Sequence, residues 1–143
     1  GRLPPRLRYL TAILQALATT RPTSVRLVLD GTPQPTMRIR LVALANGPSF
    51  AAGLPIAPMA TPHDGRLHIT VVRAIPAASL LRHAHRFYRG THLALAGVDS
   101  YRARHVALLP QSPQRTWAEA DGERLGRLPL SVSLLPNALR VHC

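Results

Sequence analysis

Lysine is missing from this 143-residue chain, cysteine occurs once, and acidic side chains number only six. Without lysine there is no Walker-type phosphate loop, which needs one beside its glycines. No glycine-rich nucleotide loop of another kind stands in its place, so a nucleotide, if used, must be held mostly by another domain. The single Cys143 permits no internal disulfide and no cysteine metal cluster, a usage that fits a reducing compartment. No apolar run approaches the roughly 18 residues that a membrane-crossing helix needs. Aromatic residues are scarce, with one Trp, three Tyr and two Phe. Trp117, Tyr101 and Phe87 are too isolated to form the stacking platform of a single-strand nucleic-acid binder. No serine sits in a nucleophile elbow.

Eighteen arginines supply all the lysine-type charge, and the formal net charge is +12. Such a surface attracts anions such as phosphates, nucleic acid or an acidic lipid headgroup layer. An arginine-only basic set beside abundant alanine and proline also fits a bias of the coding sequence. The length suits one domain with a core built from Leu, Val, Ile and Ala. Gly1 is not a methionine, which leaves open that the chain is a piece of something longer.

Leu7, Leu10, Leu14 and Leu17 follow helical spacing, with Pro4 and Pro5 at the start and Arg21-Pro22 at the exit. This apolar stripe is expected to pack on a sheet, with a lipid surface as the alternative. Val25, Leu27 and Leu29 alternate before an Asp30-Gly31 turn. Met37, Ile39, Leu41 and Ala43 alternate again, with Arg38 and Arg40 between them, as expected of a half-buried strand with a basic outer face. It ends at Asn46-Gly47-Pro48, and residues 47–65 form a loop long enough to suggest a functional role. Leu67, Ile69 and Val71 resume the strand period. Pro76 opens a second helix through Ala78, Leu81, His85 and Tyr88, closed by Gly90. Further strands are expected at 92–96, 101–108, 115–119, 130–135 and 139–142. The fold class is mainly β: an antiparallel β-sandwich-like domain, or a curled antiparallel sheet, with two helices.

Two acidic glycine turns are the candidate sites. In Asp121-Gly122-Glu123, a hairpin turn explains the first two residues but not Glu123. A carboxylate leaving a turn into a partly desolvated cleft can act as a general base toward a substrate hydroxyl. In Thr61-Pro62-His63-Asp64-Gly65-Arg66, a tight turn can aim the carbonyls of Thr61 and Arg66 at the same point as the Asp64 carboxylate. Oxygen donors of that kind suit magnesium or calcium, although one carboxylate alone makes a weak site, and the same residues also suit a plain turn. His63 and His68 have no third ligand at a recognisable transition-metal spacing.

Several segments, in order, resemble the C-terminal domain of the diacylglycerol kinase and sphingosine kinase superfamily, nearest the soluble bacterial lipid kinases. They are Leu41-Val42-Ala43-Leu44-Ala45-Asn46-Gly47, Gly53-Leu54-Pro55-Ile56-Ala57-Pro58, Asp64-Gly65-Arg66-Leu67, the stretch from Trp117 to Glu123, and Leu134-Leu135-Pro136-Asn137-Ala138-Leu139-Arg140-Val141. The resemblance implies that residues 1–143 are part of a C-terminal β-rich domain. Its N-terminal partner, absent from this chain, would carry ATP and the catalytic Mg2+. It further implies that Glu123 accepts the proton of a lipid hydroxyl. Asp64, with the carbonyls of Thr61 and Arg66, would hold a structural Mg2+. The sequence departs from the pattern at His63 and His68, which stand where the family usually carries acids and so lower the negative charge available to a cation, and at Pro48, Ser49, Phe50, Ala51 and Ala52, which replace glycine-rich positions. The expected partners are a lipid substrate, the missing nucleotide-binding domain and, peripherally, an anionic membrane surface; the expected location is cytoplasmic, peripheral at the inner membrane face. The isolated chain is expected to be inactive. A noncatalytic β-rich module that binds anionic lipid or membrane surfaces is the alternative.

Overall fold

The computed structural model describes residues 2–49, 53–113, 116–120 and 123–135, and only the backbone of Leu10, Glu119, Ala120 and Glu123. Asp121, Gly122 and the strand expected at 139–142 lie outside the described residues.

Helix α1 (Pro5–Thr19) begins with a proline where the missing N–H costs nothing. The strands that follow are β1 (Thr23–Leu29), the two-residue β2 (Thr32–Pro33), β3 (Met37–Ala45) and β4 (Leu67–Arg73). Next come α2 (Ala77–Arg82), α3 (Ala84–Arg89) and a 3₁₀ turn at His92–Ala94. The chain continues through β5 (Val98–Ala103), β6 (His105–Pro110), β7 (Trp117–Ala120), β8 (Glu123–Arg127) and β9 (Leu130–Ser133). All pairings are antiparallel. The large sheet runs β5-β4-β3-β1-β6-β9, with β2 on β1, and β7-β8 form a second, two-stranded sheet. The domain is therefore predominantly antiparallel β and sandwich-like, with short helices.

The order of the large sheet dictates its curvature. Arg104 alone separates β5 from β6, yet β4, β3 and β1 lie between them in the sheet. Four flat inter-strand steps would span about 19 Å, far beyond the reach of one connecting residue. The sheet must curl so that β5 meets β6 at that corner. Asp30, in the turn after β1, pins it: its Oδ1 accepts from the backbone N–H groups of Arg104 and His105, each at 2.9 Å. Inside the curl lies a core of Val25, Leu27, Met37, Ile39, Leu67, Ile69, Val71, Ala103, Val106 and Leu108.

The other face is covered by helices and loop. Leu14 and Leu17 of α1, Leu80 of α2 and Phe87 of α3 join Val72, Val98 and Leu54 in one cluster. Ile56, Ala57 and Ala60 of the loop form another, against Leu41, Ala43 and Ala45. With both faces covered, β4 is buried from Leu67 to Val72.

Four expectations about the elements are corrected. The alternation through β3 does not hold to its end, because the β3–β4 register shifts between Ile39 and Leu41. That irregularity moves Leu41 and Ala43 to the helix and loop face and turns Val42 and Leu44 toward the inner core. The second helix is two, because His83 adopts φ −101° and ψ 16° and ends α2. The strand expected at 92–96 is the 3₁₀ turn, held by the Phe87–His92 ring stack with centroids 4.7 Å apart. The run expected at 101–108 is divided at Arg104 into β5 and β6.

Candidate functional site

The Asp64 turn leads directly into β4. Gly65 takes φ +68°, a left-handed conformation favouring glycine, at the tight turn where the Arg66 N–H faces back to the carboxylate. Oδ1 of Asp64 accepts that N–H at 3.0 Å, and Oδ2 lies 2.5 Å from Nε2 of His68. Both contacts, the His68 bond first and the Arg66 N–H next, hold the Asp64 carboxyl below its ordinary 3.8. His68 is 3% exposed, whereas the Asp64 side chain is 28% exposed. The pair thus has one member rooted in the sheet and the other reaching out of it. The sequence reading weighs His68 as a transition-metal ligand and as the loss of an acid, not as a partner of Asp64; its spacing of four residues from Asp64, across a glycine turn, is the available signal.

Behind the turn, one main-chain oxygen fixes the loop. The Ile56 carbonyl accepts from Thr70 Oγ1 at 2.9 Å and pairs with Nε2 of His92 at 3.0 Å. The His92 ring is fully buried, and its Nδ1 has no hydrogen-bond partner among the described residues. Burial pushes the imidazole below its ordinary 6.5, against the backbone carbonyls of Ile56 and Arg86. Gly90 closes α3 with φ +72°. A Cβ there would stand 3.4 Å from Pro58 and 3.5 Å from Pro55, so loop and helix meet closely.

Glu123 opens β8, and its backbone pairs with Ala120, the last residue of β7. This is the turn exit expected from the sequence. The same hairpin carries a brace that the sequence reading missed. The Trp117 ring lies 4.9 Å from the guanidinium carbon of Arg124 and 4.9 Å from that of Arg127. Trp117 and Arg127 occupy facing positions of the two strands, which is the signal a hairpin register gives for such a contact. The candidate base and the Asp64 turn therefore stand on separate elements, the small sheet and the lip of β4. Among the described residues no three His, Cys, Asp or Glu side chains gather as metal ligands.

The whole chain, residues 1–143, matches the family described as the YegS C-terminal NAD kinase beta sandwich-like domain. It is 36% identical over 136 residues to a diacylglycerol kinase of Mycobacterium tuberculosis strain H37Rv, a match covering 95% of this chain and 43% of that protein. The same figures hold for the diacylglycerol kinase of strain CDC 1551 / Oshkosh. A crystal structure of a diacylglycerol kinase from Bacillus anthracis strain Sterne superposes with a TM-score of 0.64 at 20% identity, covering 87% of this chain and 44% of that one. The chain belongs to this YegS C-terminal domain family, within the diacylglycerol and sphingosine kinase-like superfamily, and spans less than half the length of the curated relatives it matches.

Proposed function

We propose that this chain is the C-terminal part of an ATP-dependent, diacylglycerol kinase-like lipid kinase, with Glu123 as proton acceptor. The observation that carries the reading is the 36% identity to diacylglycerol kinases across 95% of the chain, over a stretch that includes the Glu123 hairpin. A carboxylate at the head of β8 takes the proton of the lipid hydroxyl as its oxygen attacks the γ-phosphorus of ATP. The new O–P bond forms as the bond to ADP breaks. An N-terminal nucleotide-binding domain holds ATP in this reading. Magnesium, when bound with it, offsets charge on the transferring phosphoryl group. Work on a membrane lipid places the protein in the cytoplasm, in peripheral contact with the inner membrane face.

The Asp64 turn fits a structural Mg2+ by donor type, through the Asp64 carboxylate and the carbonyls of Thr61 and Arg66. Both Asp64 oxygens already face nitrogen donors, so an ion there competes with His68 and the Arg66 N–H. The ion would tie the loop end to the start of β4, a structural task.

In the full-length protein, Glu123→Gln is expected to lower lipid phosphorylation at least about tenfold with an unchanged thermal midpoint. Wild-type turnover in that variant removes the base assignment. A full-length wild type without turnover on any lipid alcohol leaves the anionic-surface module as the function. Millimolar Mg2+ is expected to raise the melting temperature of the wild type and not that of Asp64→Asn, and to act more strongly on His68→Asn. Equal shifts in wild type and Asp64→Asn remove the metal ligands.

A further inference from the structure

The polar side chains buried among the described residues, His68, Thr70 and His92, all serve one stretch of chain, the loop between β3 and β4. Thr70 and His92 meet the Ile56 carbonyl, and His68 meets Asp64 at the loop's end. Ala45, the last residue of β3, is the cross-strand partner of His68. The loop therefore leaves β3 and returns toward β4 beside the same buried imidazole. Between these ties, Ile56, Ala57 and Ala60 sit on Leu41, Ala43 and Ala45. A carboxylate offers only lone pairs, so the hydrogen between Asp64 and Nε2 belongs to His68. With Oδ1 on the Arg66 N–H and Oδ2 on the imidazole, the turn is closed by groups of the chain itself. Arg102, the partner of His68 on β5, adds positive charge beside the same carboxylate. Asp30 is engaged at the β5–β6 corner and Asp99 on Arg73. A divalent cation at this turn thus finds one carboxylate among the described residues, flanked by an arginine and an imidazole.

We infer that His68 does for this turn what a bound cation does elsewhere, so that the loop is seated on the sheet without a metal ion. The donor is fixed in β4 at 3% exposure, comes into place with folding and cannot dissociate. An ion that does bind must move His68 off Oδ2, and it adds to a turn already shut. His68 is in this sense a positioning residue: it sets the loop end through Asp64. The inference concerns the turn considered above for Mg2+, but it rests on the side-chain contacts and not on that reading.

The test is limited trypsin digestion of the full-length protein, in EDTA or in millimolar Mg2+, with each cut read by mass spectrometry. The Arg66–Leu67 bond joins an exposed arginine to the buried first residue of β4, so trypsin reaches it only when the turn opens. Wild type is expected to be cut there at the same slow rate in both solutions. His68→Asn, whose amide is too short to reach Oδ2, is expected to be cut at least about tenfold faster in EDTA. His68→Gln, which returns an N–H near the reach of the imidazole, is expected to restore most of the protection. Cutting after Arg8, in α1, is expected to stay unchanged in every variant, which separates opening of the turn from unfolding. Asp64→Ala removes the contact from its exposed side and is expected to match His68→Asn; it carries the test if His68→Asn does not fold. The inference is overturned if wild type is cut at least about tenfold faster in EDTA than in Mg2+. It is overturned equally if His68→Asn and Asp64→Ala both resist as wild type does. A melting temperature that Mg2+ shifts in no variant removes the magnesium reading and leaves the His68 tie standing. A wild-type turn that is shut only by Mg2+ removes the tie and leaves the magnesium reading standing.

Discussion

His92 shows how a single residue can be decisive with no signal in the sequence. No spacing of the chain singles it out. In the fold its ring is sealed against Phe87, with one nitrogen on the Ile56 carbonyl and the other without a partner among the described residues. A native imidazole held below its ordinary 6.5 binds fewer protons than the unfolded chain does. Its contribution to stability is therefore complete above about pH 6.5 and is lost as pH falls toward its lowered native value. Melting curves between pH 7.5 and 5.5 are expected to show a fall for wild type that is smaller in His92→Gln. An identical slope in both proteins would show that the ring titrates normally. Burial of this kind is a tertiary outcome, and a residue string read one window at a time does not contain it.

At the scale of elements, the join between α1 and the sheet rests on a residue that the strand period misassigned. Alternation placed Arg40 on a basic outer face. Instead the β3 irregularity sends its guanidinium under the helix end. There it donates to the carbonyls of Thr20 at 2.6 Å, Leu17 and Ala18 at 3.3 Å each, and Ile75 at 2.8 Å. A cation at a helix C-terminus satisfies carbonyls with no intrahelical partner and meets the negative end of the dipole. Arg40→Ala is expected to destabilise the domain by about 2 kcal/mol in denaturant unfolding, and Arg40→Lys by less, since one ammonium cannot reach all four oxygens. A loss within error for Arg40→Ala would mean that water replaces the arginine at no cost. Much else at this scale was legible. The helix over Leu7–Leu17, the strands through Val25 and Leu67, and the hairpin before Glu123 follow from periodicity and turn residues alone. What failed were interruptions: a bulge, a break at His83, a 3₁₀ turn. Periodicity reports which face a residue takes, not where the backbone leaves regular geometry.

At the scale of the whole molecule, an antiparallel sandwich-like or curled sheet was expected, whereas the corner that closes it was not, since nothing local announces that Asp30 meets Arg104. The backbone N–H groups of His105 and Arg104 hold the Asp30 carboxyl below its ordinary 3.8. Its stabilising effect is present above that value and is lost as pH falls below it. Asp30→Ala is expected to melt below wild type at pH 7, with the gap closing under acid conditions. A gap that persists at pH 2.5 would assign the loss to the turn conformation instead, since Asp30 itself has φ 48°. The one-residue link at Arg104 has a mechanical consequence. A pull on β5, the rim of one side, is handed at once to β6, which lies beside β1 in the middle of the sheet. The rim is thereby wired to the interior, and under load the domain is expected to yield in a single event instead of fraying strand by strand.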